Sequence, residues 1–213
     1  MKIIVFGARG DVGSRVVAEA LSRGHEVAAV VRRQAQSDAV PPAARALVGD
    51  VGQTGEVARL MAGQDLAISA IRPPDGQEYA LVPLTRSLLD AAAMARIPLL
   101  VVGGAANLKI PGQNGTTVLT APGFLPEVVL PIARACFAQY ELCMTENRID
   151  WSYLAPPAML LPGERTGRYR LGSDTLLFDA AGESRISMED FAVALLDEAE
   201  TPKHRGRRFT VAN

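Results

Sequence analysis

Aromatic side chains make up only 5% of this 213-residue chain. A core of large rings is thereby excluded, and the interior falls to Ala, Val and Leu packed around a sheet. Cysteine and histidine are equally scarce, at two each. Cys136 and Cys143 fall on a stretch that reads as a helix, on one face about two turns apart, too far for a disulfide. Buried thiols are expected. His25 and His204 lie far apart in sequence and the cysteines keep no metal-ligand spacing, so no zinc or transition-metal site is expected. An excess of one charge is also missing: 22 basic and 23 acidic side chains leave a net charge of −1 and a pI near 6.2. Such a surface has no general field for nucleic acid or an anionic membrane, and neither is expected as a partner.

No uninterrupted apolar run reaches the roughly 18 residues of a membrane span. The opening MKIIVFGARG lacks a charged n-region, a long apolar stretch and a small-residue cleavage site, so a cytoplasmic location is expected. Repeats and low-complexity tracts are absent, and the length suits one domain over 1–213.

What is present is concentrated in the first thirty-three residues. The apolar run 1–6 breaks into Gly7-Ala8-Arg9-Gly10-Asp11-Val12-Gly13, and Val12, Val16, Val17, Ala20 and Leu21 follow at helical spacing up to Gly24. A second apolar run, 26–31, closes a β-α-β unit. Glycines suit a tight turn that lets a diphosphate approach bare backbone, where a helix N-terminus offers free N–H groups and a positive dipole end. The spacing is G-x-x-G-x-x-G rather than the commoner G-x-G-x-x-G, so the surrounding strand and helix carry the assignment. The alternative is a glycine turn of another α/β protein. The second strand ends in Arg32-Arg33, where NAD-binding units place an acid for the ribose 2′-hydroxyl. With Arg9 in the turn, these arginines can attract a 2′-phosphate, which favours NADP(H) over NAD(H). Solvated surface arginines are the bland alternative.

The rest of the chain alternates. Strands are expected over 45–48, 65–71, 98–102 and 150–155, and helices over 55–62, 78–95 and 126–148, with a Gly/Thr/Pro-rich loop over 109–126. Strands apolar on both faces imply a parallel sheet between helix layers: an α/β, Rossmann-type doubly wound fold whose ligands lie beyond the strand carboxyl ends. Those ends bring Asp50, Val51, Ala70, Ile71, Arg72, Gly103 and Gly104 to the cofactor. Over 157–213 a small appendage is expected above the substrate side of the cleft: a hairpin from 164–170 and 176–178, a helix capped by Ser187 that runs to 199, and a short strand over 208–211.

These motifs carry a family resemblance. The glycine turn, the arginine ending strand two, Gly49-Asp50, Val102-Gly103-Gly104-Ala105, Asp150-Trp151-Ser152 before Pro156-Pro157, Pro162 to Gly167 and the segment Ser184 to Ala192 resemble the atypical short-chain dehydrogenase/reductases. In particular they resemble the NAD(P)H-binding branch provisionally named NADH-flavin reductases, similar to flavin (biliverdin-IXβ) reductase. The resemblance spans nearly the whole chain. It implies that Asp50 reaches the adenine, that Ala70 and Ile71 pass the adenosine ribose, and that Gly103, Gly104 and Pro156 flank the nicotinamide.

The wider superfamily places Tyr-x-x-x-Lys on the helix after strand five, and that pair is missing. The only lysines are Lys2, Lys109 and Lys203, and Tyr140 is followed four residues later by Met144. Alignment on Asp150-Trp151 puts Ala133 and Phe137 at the two positions, and Tyr140 reads as a packing residue. Alcohol or sugar substrates need a base to take their proton. A flavin, quinone or similarly conjugated acceptor takes hydride with a solvent proton and needs only alignment. The expected function is an NADPH-dependent reductase of such an acceptor. Its rival is a non-catalytic NAD(P)-binding sensor of the NmrA type, and an epimerase is disfavoured for want of a base. Asn107 is a candidate donor to substrate, or a turn residue bonded to its own backbone. Leu108, Phe124 and Tyr153 are candidate substrate-wall residues, each equally readable as core. Oligomeric state, monomer or homodimer, is open.

Overall fold

A computed structural model describes residues 1–213. Its frame is an eight-stranded sheet in the order β3-β2-β1-β4-β5-β6-β10-β8. The strands are β1 (Lys2–Phe6), β2 (Glu26–Val31), β3 (Arg45–Val48), β4 (Leu66–Ser69), β5 (Leu99–Val102), β6 (Trp151–Ala155), β8 (Arg170–Gly172) and β10 (Arg207–Ala212). All neighbours run parallel except β8, which pairs antiparallel with β10. The chain starts at the centre, builds outward to β3, then returns past β1 to β4. The strand order therefore reverses between β1 and β4, and a crevice opens there at the carboxyl ends.

Alternation along each strand feeds two cores. From β1, Ile4 and Phe6 enter one face with Leu88, Leu89 and Tyr153, whereas Ile3 and Val5 enter the other with Val16, Val17 and Phe191. The first face is covered by α2 (Thr54–Met61), α3 (Leu81–Ala95) and α4 (Leu130–Met144). The second is covered by α1 (Asp11–Ser22) and α5 (Met188–Glu200). No helix is long and apolar enough to cross a membrane. The expected parallel sheet between helix layers is what forms, a Rossmann-like α/β fold.

Helix ends follow local chemistry. Gly24, with φ at +78°, closes α1: a residue in the left-handed region lets the chain turn back so that the His25 N–H reaches the Ala20 carbonyl at 3.1 Å. Ser187 Oγ accepts the Asp190 N–H at 2.9 Å and starts α5, as its position before an acidic turn predicts. The helix expected over 126–148 begins as a 3-10 turn over 127–129 and continues as α4, stopping at Met144.

The C-terminal third departs from expectation. No hairpin joins 164–170 to 176–178. The Asp190 carboxylate instead takes the N–H groups of Thr166 and Gly167, at 2.8 and 2.7 Å, and Glu19 holds Arg165 at 2.7 Å, which fixes that loop against α1 and α5. β8 then adds to the main sheet, and Leu176 is buried in the core. β7 (Met159–Leu161) and β9 (Arg185–Ser187) form a separate parallel pair. α5 and β10 are integral to the fold rather than parts of an appendage; β7 and the residues before it are what overhang the crevice.

Candidate functional site

The crevice is one cleft of about 1120 Å³ across the sheet's carboxyl edge. Its middle is the glycine turn. Gly7 lies in the left-handed region at φ +79°, and a Cβ there would sit 2.3 Å from the Ala70 carbonyl oxygen; a Cβ on Gly13 would sit 2.0 Å from the Gly7 carbonyl oxygen. These two glycines let the ends of β1 and β4 and the first turn of α1 touch through bare backbone. Gly10 is the residue before α1 and supplies no side-chain cap. The N–H groups of Asp11, Val12 and Gly13 have no carbonyl one turn earlier to bond, and they begin the helix at the cleft. An uncapped N-terminus over a floor that glycines keep open fits a dinucleotide's diphosphate. Gly7, Ala8, Arg9, Gly10, Asp11 and Val12 line the cleft; Gly13 lies behind the turn.

On the β2 and β3 side, Arg32, Asp50 and Val51 line the cleft and the exposed Arg33 does not. Gln36 Oε1 accepts the backbone N–H groups of both arginines at 3.1 Å, which clamps the end of β2. The Arg32 side chain meets no carboxylate in the protein. Asp50 Oδ1 accepts the Gly52 N–H at 2.9 Å. Beyond β4, Ala70, Ile71 and Arg72 contribute, with Arg72 3.6 Å from Asp75.

On the β5 and β6 side, Gly103, Gly104 and Pro156 line the cleft. A Cβ on Gly103 would meet the Tyr153 ring at 1.9 Å, and one on Gly104 would meet Cys136 Cβ at 2.7 Å. Below this floor runs a buried polar chain. The Gly104 N–H donates to Tyr153 Oη at 3.0 Å, and Oη stands 3.2 Å from the Cys136 carbonyl and 3.3 Å from Gln139 Oε1, to one of which it donates. Gln139 Nε2 donates to Thr85 Oγ1 at 3.0 Å, and Thr85 donates to the Leu81 carbonyl at 2.8 Å. The chain ties the loop after β5 to α4 and α3. Burial pushes the Tyr153 phenol well above its usual range, so it stays protonated.

The four candidate substrate residues are not brought to the cleft. Leu108 and Tyr153 are fully buried, and Phe124 packs on the same core. Asn107 turns from the cleft to the Phe137 carbonyl, 3.5 Å away, with its Oδ1 buried and unpartnered. The wall is instead Val129, Ile132, Ala133, Cys136 and Gln139 from the α4 region, with Met159 to Leu161 of β7 and Met188 of α5. The sequence names Ala133 only as the position of the missing tyrosine and Cys136 only as a buried thiol, and it marks none of these residues as a wall. The only available signal was the weak sidedness of α4, most of whose residues are half-buried because it serves both core and cleft. Burial pushes the Cys136 thiol up to about 11, with Arg72 pulling slightly the other way, so it is neutral near pH 7.

The cleft lining contains no tyrosine, lysine, histidine, serine or threonine. Its titratable groups are Arg9, Arg32, Arg72, Asp11, Asp50, Asp75 and Cys136.

A family model described as NAD(P)H-binding matches residues 7–199. YwnB of Bacillus subtilis, a protein described as uncharacterised, is 36% identical over 215 residues covering 100% of this chain and 99% of its own. A solved structure from Bacteroides thetaiotaomicron, provisionally named an epimerase, is 38% identical at a TM-score of 0.90, covering 99% of this chain and 96% of that one. Another, from Streptococcus pneumoniae and provisionally named an NADH-flavin reductase, is 30% identical at a TM-score of 0.89, covering 100% and 99%. With the glycine turn, the uncapped helix and the reversed strand order at one cleft, the match over 7–199 settles the matter of kinship: the chain belongs to the NAD(P)H-binding family.

Proposed function

We propose that the protein is an NADPH-dependent reductase that delivers hydride to a flavin, quinone or similarly conjugated acceptor. The carrying observation is the chemistry of the lining: cations on the β1, β2 and β4 side, and no tyrosine, lysine, histidine or hydroxyl side chain anywhere along it. Oxidising an alcohol or epimerising a sugar needs a side chain that takes a proton as the bond breaks. The neutral Cys136 is a poor candidate, and the three aspartates line the cleft on the β1, β3 and β4 side. Reducing a conjugated ring needs less: two electrons and one proton pass as hydride, and a second proton comes from water. The residues after β5 and β6 then have only to hold two rings face to face.

Each part of the chain has a role in this reading. The N-terminus of α1 holds the diphosphate, and Asp50 meets the adenosine. The guanidinium groups of Arg32 and Arg9 meet the 2′-phosphate, whereas Arg33 takes no part. Gly103 and Gly104 leave room for the nicotinamide, with Tyr153 fixing their backbone from below. When bound, the reduced nicotinamide supplies the hydride.

The test is to mix purified protein with NADPH and a panel of FMN, riboflavin and naphthoquinone, following absorbance at the nicotinamide band. Acceptor-dependent oxidation supports the reading. A protein that binds NADPH yet never oxidises it with any of them is a sensor of the NmrA type instead.

A further inference from the structure

We infer that the acceptor half of the cleft takes an uncharged planar conjugated ring, and that an acceptor carrying phosphate or carboxylate groups is selected against. This rests on the reductase reading for the position of the acceptor, beyond Gly103 and Gly104. The charged side chains of the lining are on the β1, β2, β3 and β4 loops: Arg9, Asp11, Arg32, Asp50, Arg72 and Asp75, and of these Arg72, after β4, is the one whose field reaches the wall at Cys136. Beyond β5 and β6 the wall is Val129, Ile132, Cys136, Pro157, Leu160 and Met188, with Gln139 its one amide. That amide is already engaged, its oxygen near Tyr153 Oη and its nitrogen on Thr85. Cys136 is a neutral thiol.

Such a wall rewards the burial of flat apolar surface. A phosphate drawn into it would lose its hydration with no counter-charge to replace it, and that loss outweighs what a few extra contacts return. The nearest cation is Arg72, whose field is felt at Cys136. Its guanidinium is 66% exposed and stands 3.6 Å from the still more exposed Asp75 carboxylate, so water screens its charge and Asp75 partly offsets it. The same ring chemistry is found in a phosphate-free flavin and in a quinone, and the wall admits both.

The experiment is equilibrium binding of riboflavin and of FMN to protein saturated with NADP+, read by quenching of flavin fluorescence, with 2-methyl-1,4-naphthoquinone as competitor. No hydride can pass in this state, so the readout is independent of turnover. Riboflavin should bind about tenfold or more tighter than FMN, the gap should persist in Arg72→Ala, and the quinone should displace riboflavin. Riboflavin binding without NADPH oxidation in the turnover assay would leave this inference standing and sink the reductase reading. FMN binding as tightly as riboflavin overturns the inference, and so does an FMN advantage that disappears in Arg72→Ala. Failure of both riboflavin and the quinone to bind overturns it as well. If riboflavin binds and the quinone does not displace it, a flavin is the source of the ring and the inference stands; failure of riboflavin alone to bind overturns it.

Discussion

Single atoms decide much of this cleft. The Tyr153 hydroxyl accepts the part-buried Gly104 N–H from beneath the floor and stands 3.3 Å from the buried Gln139 Oε1, so Tyr153→Phe leaves the donor unpaired and removes a hydroxyl from the buried chain. The expected cost is about 1–3 kcal/mol of stability, read as a lower urea midpoint with the fold retained. Gly103→Ala is the complementary test: its Cβ would overlap the Tyr153 ring at 1.9 Å, so melting should fall by at least as much, and unchanged stability would refute the described floor. These contacts were not legible in the sequence. Gly103 and Gly104 could be read as cofactor neighbours because they follow a strand. Whether Asn107 and Leu108 face the cleft or the core depends on how the loop after β5 folds over α4, and Tyr153, on β6, shares a sheet face with Trp151 and Ala155 that is covered by helices, which no local pattern states. Arg33 shows the same limit. Two adjacent arginines look equivalent until the Gln36 clamp fixes the strand end and only Arg32 meets the cleft.

At the scale of elements, local chemistry predicts best where an element has one job. The first β-α-β unit reads directly because its glycines, its apolar run and its stop at Gly24 agree. Ser187 likewise announces α5, and Ser187→Ala should cost about 1 kcal/mol, measured by thermal or urea unfolding; no change would mean that the cap is redundant. α4 was the hard case. It lines the cleft on one side and covers the sheet on the other, so its apolar residues are spread around the helix and its site-facing members cannot be picked out. The misplaced hairpin over 164–178 has a similar cause. Its polar residues suggest turn and strand roles, but Asp190 and Glu19 hold Thr166, Gly167 and Arg165 from distant helices. Strand β8 pairs instead with β10, a partner about forty residues later in sequence.

Across the whole molecule, charge pairs set the acid limit of stability. The hydrogen-bonded Arg165 holds Glu19 below the ordinary glutamate value of 4.5, and Arg148 does the same for Glu146. Both groups are therefore more acidic folded than unfolded. Their contribution is complete above about 4.5 and is lost as the pH falls below it, because the unfolded chain then binds more protons. The urea midpoint should decline below that pH, and Glu19→Gln should flatten the decline while lowering the plateau. A decline of the same steepness in Glu19→Gln would contradict this assignment. Cofactor binding acts on the same equilibrium: NADPH at 100 times its dissociation constant should add about 2.7 kcal/mol, or roughly 5–10 °C in melting temperature for a chain of this size.

The account stands most directly on calorimetric titration of NADPH and NADH into the parent protein and Arg32→Ala. The expected result is one site per chain, with NADPH bound more tightly than NADH. Arg32→Ala should weaken NADPH by about 1.5–3 kcal/mol and leave NADH nearly unchanged. No binding of either nucleotide would contradict the reading of the cleft itself; equal binding that Arg32→Ala does not alter would contradict the reading of its cations.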